Sequence, residues 1–119
     1  MTIVVLGASD NPERYSHKAL VRLIAAGHKV VPVHPTLKEV EGLPVVRNIQ
    51  SVREPVDTVT VYVNPTVLET IGPAIAELKP RRVIFNPGAE NESVRQSLAS
   101  RGIETIEACT LVMLSTGQF

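Results

Sequence analysis

Apolar runs of strand length alternate along this chain with stretches whose apolar residues recur at helical spacing. Ile3, Val4, Val5 and Leu6 are four consecutive branched apolar residues, the pattern of a strand covered on both faces of a sheet. Gly7 ends that strand, and a polar loop follows. Ser16 then caps a predicted helix whose residues Ala19, Leu20, Leu23 and Ile24 share one face and which Gly27 ends. A second strand is expected over Lys29–Val33, with Pro32 inside it as the mark of an irregular or edge strand. From Thr36 to Pro55 the chain is polar and turn-rich, with room for a short helix and a short extended piece.

Periodicity returns at Asp57–Val63, DTVTVYV, a third strand dense in β-branched residues. Asn64-Pro65 opens a helix carried by Val67, Leu68, Ile71, Ile75 and Leu78, and Gly72-Pro73 predicts a kink in it or two short helices. Arg82–Phe85 reads as a fourth strand, Asn86-Pro87-Gly88 as a turn, Glu92–Arg101 as a helix ended by Gly102, and Ile103–Ile106 as a fifth strand. The apolar tail Cys109–Phe119 is expected to fold back on the sheet.

Strand and helix in alternation imply right-handed crossovers. The expected fold is a single α/β domain over residues 1–119, doubly wound, with a mostly parallel five-stranded sheet. Its expected strand order is 3-2-1-4-5. In such a sheet the ligand crevice lies outside the carboxyl ends of the strands, where the order reverses beside the first strand. The loops to examine are Gly7–Tyr15, Val33–Lys38, Tyr62–Pro65 and Asn86–Asn91.

Composition narrows the chemistry. With 12 basic and 12 acidic residues the formal net charge is zero, so no whole-surface attraction to nucleic acid or to an anionic membrane is expected. No apolar run is long enough for a membrane helix, and the first residues enter a strand directly, so neither a membrane anchor nor a signal peptide is expected and the location is read as cytoplasmic. A single cysteine, Cys109, permits no internal disulfide and no thiolate metal cluster. No activating base is evident near it in sequence, and a small, buried apolar role is its preferred reading.

The glycine pattern of dinucleotide-binding turns is absent, because Gly7 is followed by Ala8, Ser9, Asp10, Asn11 and Pro12. His34-Pro35 stands where an acidic residue would hold an adenosine ribose in NAD-binding folds. Cations instead gather at or near the expected crevice: Arg14, His17, Lys18, His34 and Lys38. They suit a ligand with more phosphate than NAD. Gly7 and the following helix start supply the backbone geometry of a phosphate site.

The segments GASDNPERYSHKA, VVPVHP, EGLPV, VDTVTVYVNP, VIFNPGAEN and EACTLVML, in this order, resemble the small stand-alone CoA-binding proteins, whose Rossmann-like fold also forms the N-terminal domain of the succinyl-CoA synthetase α subunit, so the resemblance implies a Rossmann-like fold here. The resemblance runs from about Ile3 to the C-terminus. It implies coenzyme A or an acyl-CoA held non-covalently across the strand ends. Its diphosphate would sit near Gly7, Ala8 and Ser9 with the adjoining Asn11, Arg14 and Tyr15. His34-Pro35 and Val63-Asn64-Pro65 would line the nucleotide portion, and Pro87-Gly88 would border the crevice from the other side. Lys18 and Lys38 are further candidates, Lys38 as a partner of the 3′-phosphate.

Succinyl-CoA synthetase keeps its phosphohistidine in a second domain of the α subunit, so the resemblance implies binding without catalysis for these residues. Each candidate also has a plainer role. Asn64-Pro65 and Pro87-Gly88 are turn and helix-start residues in any case, Arg14 and Lys18 suit a solvated helix face, and His17 and His34 suit structural hydrogen bonding. Two other functions compete: an NAD(P)-dependent or Cys109-based acyl-transfer enzyme, and an interaction module with a vestigial nucleotide site that docks a partner protein or a second copy.

Overall fold

In the computed structural model, which describes residues 1–119, five parallel strands form one sheet: β1 (Thr2–Leu6), β2 (Lys29–Val33), β5 (Thr58–Val61), β6 (Arg82–Phe85) and β7 (Glu104–Glu107). A two-stranded antiparallel hairpin, β3 (Glu39–Val40) and β4 (Leu43–Pro44), and a 3-10 turn at Ile49–Ser51 occupy the turn-rich segment. The helices are α1 (Tyr15–Ala25), α2 (Pro65–Leu78), α3 (Glu92–Ser100) and α4 (Thr110–Ser115). Alternate strand residues feed two cores, as the two-residue period of a strand requires. Val4, Leu6, Val59, Val61, Val83 and Phe85 pack with Leu68 and Ile75 of α2 and with Val94 and Leu98 of α3. Ile3, Val5 and Val30 pack with Leu20 and Leu23 of α1.

The fold class is the expected one, but the strand order is not. The sheet runs β2-β1-β5-β6-β7, so the third sequence strand lies on the other side of the first, and the expected order 3-2-1-4-5 is corrected to 2-1-3-4-5. The residues explain why. Every position of β5, Thr58–Val61, is buried, so it sits between two neighbours, β1 and β6. Pro32 has no N–H to give a further strand, and β2 is accordingly the edge strand. On its outer side the backbone hydrogen bonds come from Val46, whose N–H donates to the Pro32 carbonyl (2.9 Å) and whose carbonyl accepts from His34 N–H (3.0 Å).

Two helix details also differ from expectation. Helix α1 begins at Tyr15 with Arg14 as its N-cap residue, making no side-chain cap, while Ser16 is buried in the first turn. Helix α2 is continuous through Pro73. Gly72 serves close packing there: a Cβ on it would lie 3.3 Å from Val94 Cγ1 of α3. The tail does fold back. Phe119 lies against Arg82, whose guanidinium is 4.4 Å from its ring centre, and the Phe119 carbonyl accepts from Arg82 Nη2 (2.9 Å).

Candidate functional site

The order 2-1-3-4-5 puts the topological switch between β1 and β5, and a crevice of about 970 Å³ opens at the carboxyl ends of these strands. This is near the upper end of the range for small-molecule sites, roughly 300–1,000 Å³. The loop after β1 forms one wall. Gly7 has φ +89°, and a Cβ on it would sit 3.1 Å from both the Tyr62 carbonyl carbon and Val63 Cγ1, so the residue must be glycine both for its backbone angle and for its space.

The N–H groups of Gly7 and Ala8 both donate to the Val33 carbonyl (3.1 Å each) and are thereby spent on anchoring the loop. The next two, on Ser9 and Asp10, have no acceptor in the protein, and neither have those of Tyr15 and Ser16 in the first turn of α1. All four residues line the crevice, as does Arg14, which forms no ion pair. A helix N-terminus combined with free loop amides favours anions. His17 is buried and holds the loop from behind: its Nδ1–H donates to the Ser9 carbonyl (2.9 Å).

His34 and Pro35 line the crevice at the end of β2. His34 Nδ1 accepts from the backbone N–H of Thr36 and of Leu37 (3.1 Å each), so in the neutral ring the proton sits on Nε2 as a donor. Val63 and Asn64 line it from the β5 side and Pro87 from the β6 side, while Val67 and Ile71 of α2 add an apolar wall. Asn64 also caps α2, its Oδ1 accepting from Val67 N–H (2.9 Å).

Five candidates lie outside the crevice, each for a local reason. Asn11 closes its own loop, accepting from Glu13 N–H (3.0 Å) and donating its N–H to Ser9 Oγ (3.1 Å). Lys18 extends over the exposed Tyr15 ring, with Nζ 5.7 Å from its centre. Lys38 is exposed beside the hairpin, its carbonyl accepting from Val45 N–H (2.9 Å). The Pro65 carbonyl accepts from Asn91 Nδ2 (2.9 Å), and Gly88 N–H donates to Glu90 Oε1 (2.9 Å).

Sequence reasoning missed Arg47, Asn48 and Gln50, which reach the crevice because Val46 is bonded to the edge of β2. Only the three-dimensional docking of the turn-rich segment reveals them. Helical spacing alone does not single out Val67 and Ile71, which reach the crevice because the first turns of α2 overhang the strand ends.

Asn86 faces away from the crevice. Its Nδ2 donates to Thr60 Oγ1 (2.7 Å) and its Oδ1 accepts from Thr110 N–H (2.8 Å), while the Thr60 and Thr110 hydroxyls are 2.8 Å apart. Tyr62 borders the crevice, and its side chain packs against the core of Ile3, Val5 and Leu20, with the hydroxyl buried beside Thr60 and Thr110 and making no hydrogen bond of normal geometry. Burial pushes that phenol up to about 12, against smaller opposing effects of Thr110 and Thr60. Cys109 is the N-cap residue of α4 and does not line the crevice.

A family model described as "CoA binding domain" matches residues 1–115. The chain belongs to the CoA-binding domain family. It is 30% identical over 100 residues to the uncharacterized protein YneT of Bacillus subtilis, a match covering 84% of this chain and 74% of that one. It is also similar to an uncharacterized protein of known crystal structure, at 45% identity and a TM-score of 0.94, covering 99% and 97% of the two chains. The same domain fold occurs in a dinucleotide-forming acetyl-coenzyme A synthetase of Ca. Korarchaeum cryptofilum solved with phosphate and ADP, at 23% identity and a TM-score of 0.75. This CoA-binding domain covers 25% of that longer chain, and the likeness bears on fold alone.

Proposed function

We propose that the protein binds coenzyme A or an acyl-CoA non-covalently in the crevice beside β1, in the cytoplasm, and catalyses no reaction on it. The observation that carries this reading is the set of four unpartnered N–H groups, on Ser9, Asp10, Tyr15 and Ser16, next to the unpaired Arg14 in a chain of the CoA-binding domain family. Fixed N–H dipoles and a guanidinium hold a diphosphate without reorganising, and charge-assisted hydrogen bonds are the stronger kind.

The walls suit the rest of the ligand. His34 offers Nε2–H to the nucleoside, and Val63, Val67 and Ile71 offer apolar surface to the pantetheine arm. Cys109 is the N-cap residue of α4 and lies outside the crevice, which counts against the acyl-transfer alternative that would use it as the nucleophile. Calorimetric titration of the purified, nucleotide-free protein with CoA tests the reading, with NADP as the control. Saturable binding at micromolar CoA or below is expected. A folded sample that gives no heat with CoA, or that prefers NADP, overturns it.

A further inference from the structure

We propose that Arg47 recognises the phosphate on the ribose of the bound nucleotide, the 3′-phosphate of CoA, and so sets the preference for CoA over ligands that lack it; this rests on the CoA reading above. The argument begins at the end of β2. In doubly wound sheets the adenosine ribose lies there, an acidic residue accepting from its free hydroxyls and an arginine accommodating a phosphate in their place. Here His34-Pro35 follows β2 directly, with no carboxylate, and the arginine arrives from another segment.

Val46 is fixed to β2 at that point by two backbone hydrogen bonds, one to the Pro32 carbonyl (2.9 Å) and one from His34 N–H (3.0 Å). On the other side of Arg47, Asn48 Oδ1 accepts from Ser51 N–H (3.1 Å) and Ser51 Oγ–H (2.9 Å), and Ile49 is buried. Arg47 therefore projects from an anchored stretch of backbone. Arg47 lines the crevice and is exposed, and its guanidinium forms no hydrogen bond or ion pair within the protein.

The other cations are accounted for. Arg14 stands at the start of α1 beside the free amides, the place for the diphosphate. Lys38, the residue expected from the sequence to meet the 3′-phosphate, lies outside the crevice, and Lys18 is turned over Tyr15. CoA carries two separate anionic groups, and the crevice is lined by two separate arginines, Arg14 at the start of α1 and Arg47 on the β2 side.

The test is a calorimetric titration of the full chain with CoA and with dephospho-CoA, using wild type, Arg47→Ala, Arg47→Glu and Lys38→Ala, with circular dichroism to show that each is folded. Wild type is expected to prefer CoA by about tenfold or more, the scale of a charge-assisted hydrogen bond. Arg47→Ala should lower CoA affinity to that for dephospho-CoA and leave the latter unchanged. Arg47→Glu should bind CoA less tightly than dephospho-CoA, and Lys38→Ala should keep the wild-type preference. A folded Arg47→Ala that still prefers CoA, or a wild type that binds both ligands equally, overturns the role of Arg47 while leaving the CoA reading intact. A wild type that binds neither ligand overturns both.

Discussion

At the amino ends of the strands, Arg81 donates to Asp57 through Nε (2.9 Å) and Nη2 (3.2 Å) and reaches Glu104 as well (3.5 Å), and Lys29 pairs with Glu54 (2.6 Å). At the carboxyl ends, Arg14 and Arg47 have no carboxylate partner and four loop and helix amides have no acceptor. One end of the sheet satisfies its charges internally, and the other keeps them available. Groups left open for a ligand are not optimised for stability, a common division between scaffold and site.

The sharpest way to break this division is Gly7→Ala. A side chain forced to φ +89° and within 3.1 Å of Tyr62 and Val63 should cost on the order of 2–3 kcal/mol of folding stability, visible as a lower thermal midpoint, and should abolish CoA binding as the loop shifts. Arg14→Ala separates the two properties: CoA binding should weaken by roughly 1–2 kcal/mol while the denaturant midpoint stays unchanged. An unaltered dissociation constant in that variant would remove Arg14 from the site.

Tyr62→Phe sharpens the comparison from the other direction. Deleting a buried hydroxyl that has no partner should raise stability by about 1 kcal/mol. The wild-type phenol titrates at about 12 instead of 10.0, so the folded state favours its protonated form. That contribution is fully present below the unfolded value and is lost as the pH climbs through 10 to 12. Alkaline unfolding curves should show this loss in wild type and not in Tyr62→Phe.

The smallest effect is expected at the paired end. Hydrogen bonds from Arg81, with smaller help from Thr58, hold the Asp57 carboxyl below its ordinary value against a mild desolvation. Its stabilisation is therefore present above pH 3.8 and fades as the pH falls through the depressed value. Asp57→Asn should remove part of the acid sensitivity of folding, read from urea midpoints at successive pH values, and leave CoA affinity at neutral pH untouched.

Much of this architecture is legible in the residues. The runs Ile3–Leu6 and Thr58–Val61 announce buried parallel strands because every position is a branched, uncharged residue, and the glycine after β1 marks the loop of the crevice. Strand order was less legible, because it depends on which side of β1 the third strand takes. The clue was Pro32, which marks β2 as an edge and so sends β5 to the far side. Of the candidates adjacent to strand ends, Ser9, Arg14, His34, Val63 and Asn64 line the crevice, because a strand end delivers its next residues there. Arg47 was not legible, because nothing in a polar, turn-rich stretch indicates that Val46 will dock on β2. Sequence proximity does not place Lys18 and Lys38, which lie outside the crevice lining, Lys18 over the Tyr15 ring and Lys38 exposed.

The most direct test of the central claim is an NMR titration of the ¹⁵N-labelled protein with CoA. The account predicts the largest amide shifts at Ser9, Asp10, Tyr15 and Ser16, with the amide signals at the amino ends of β5 and β6 unmoved. Shifts centred elsewhere, or no shifts at saturating CoA, would contradict it.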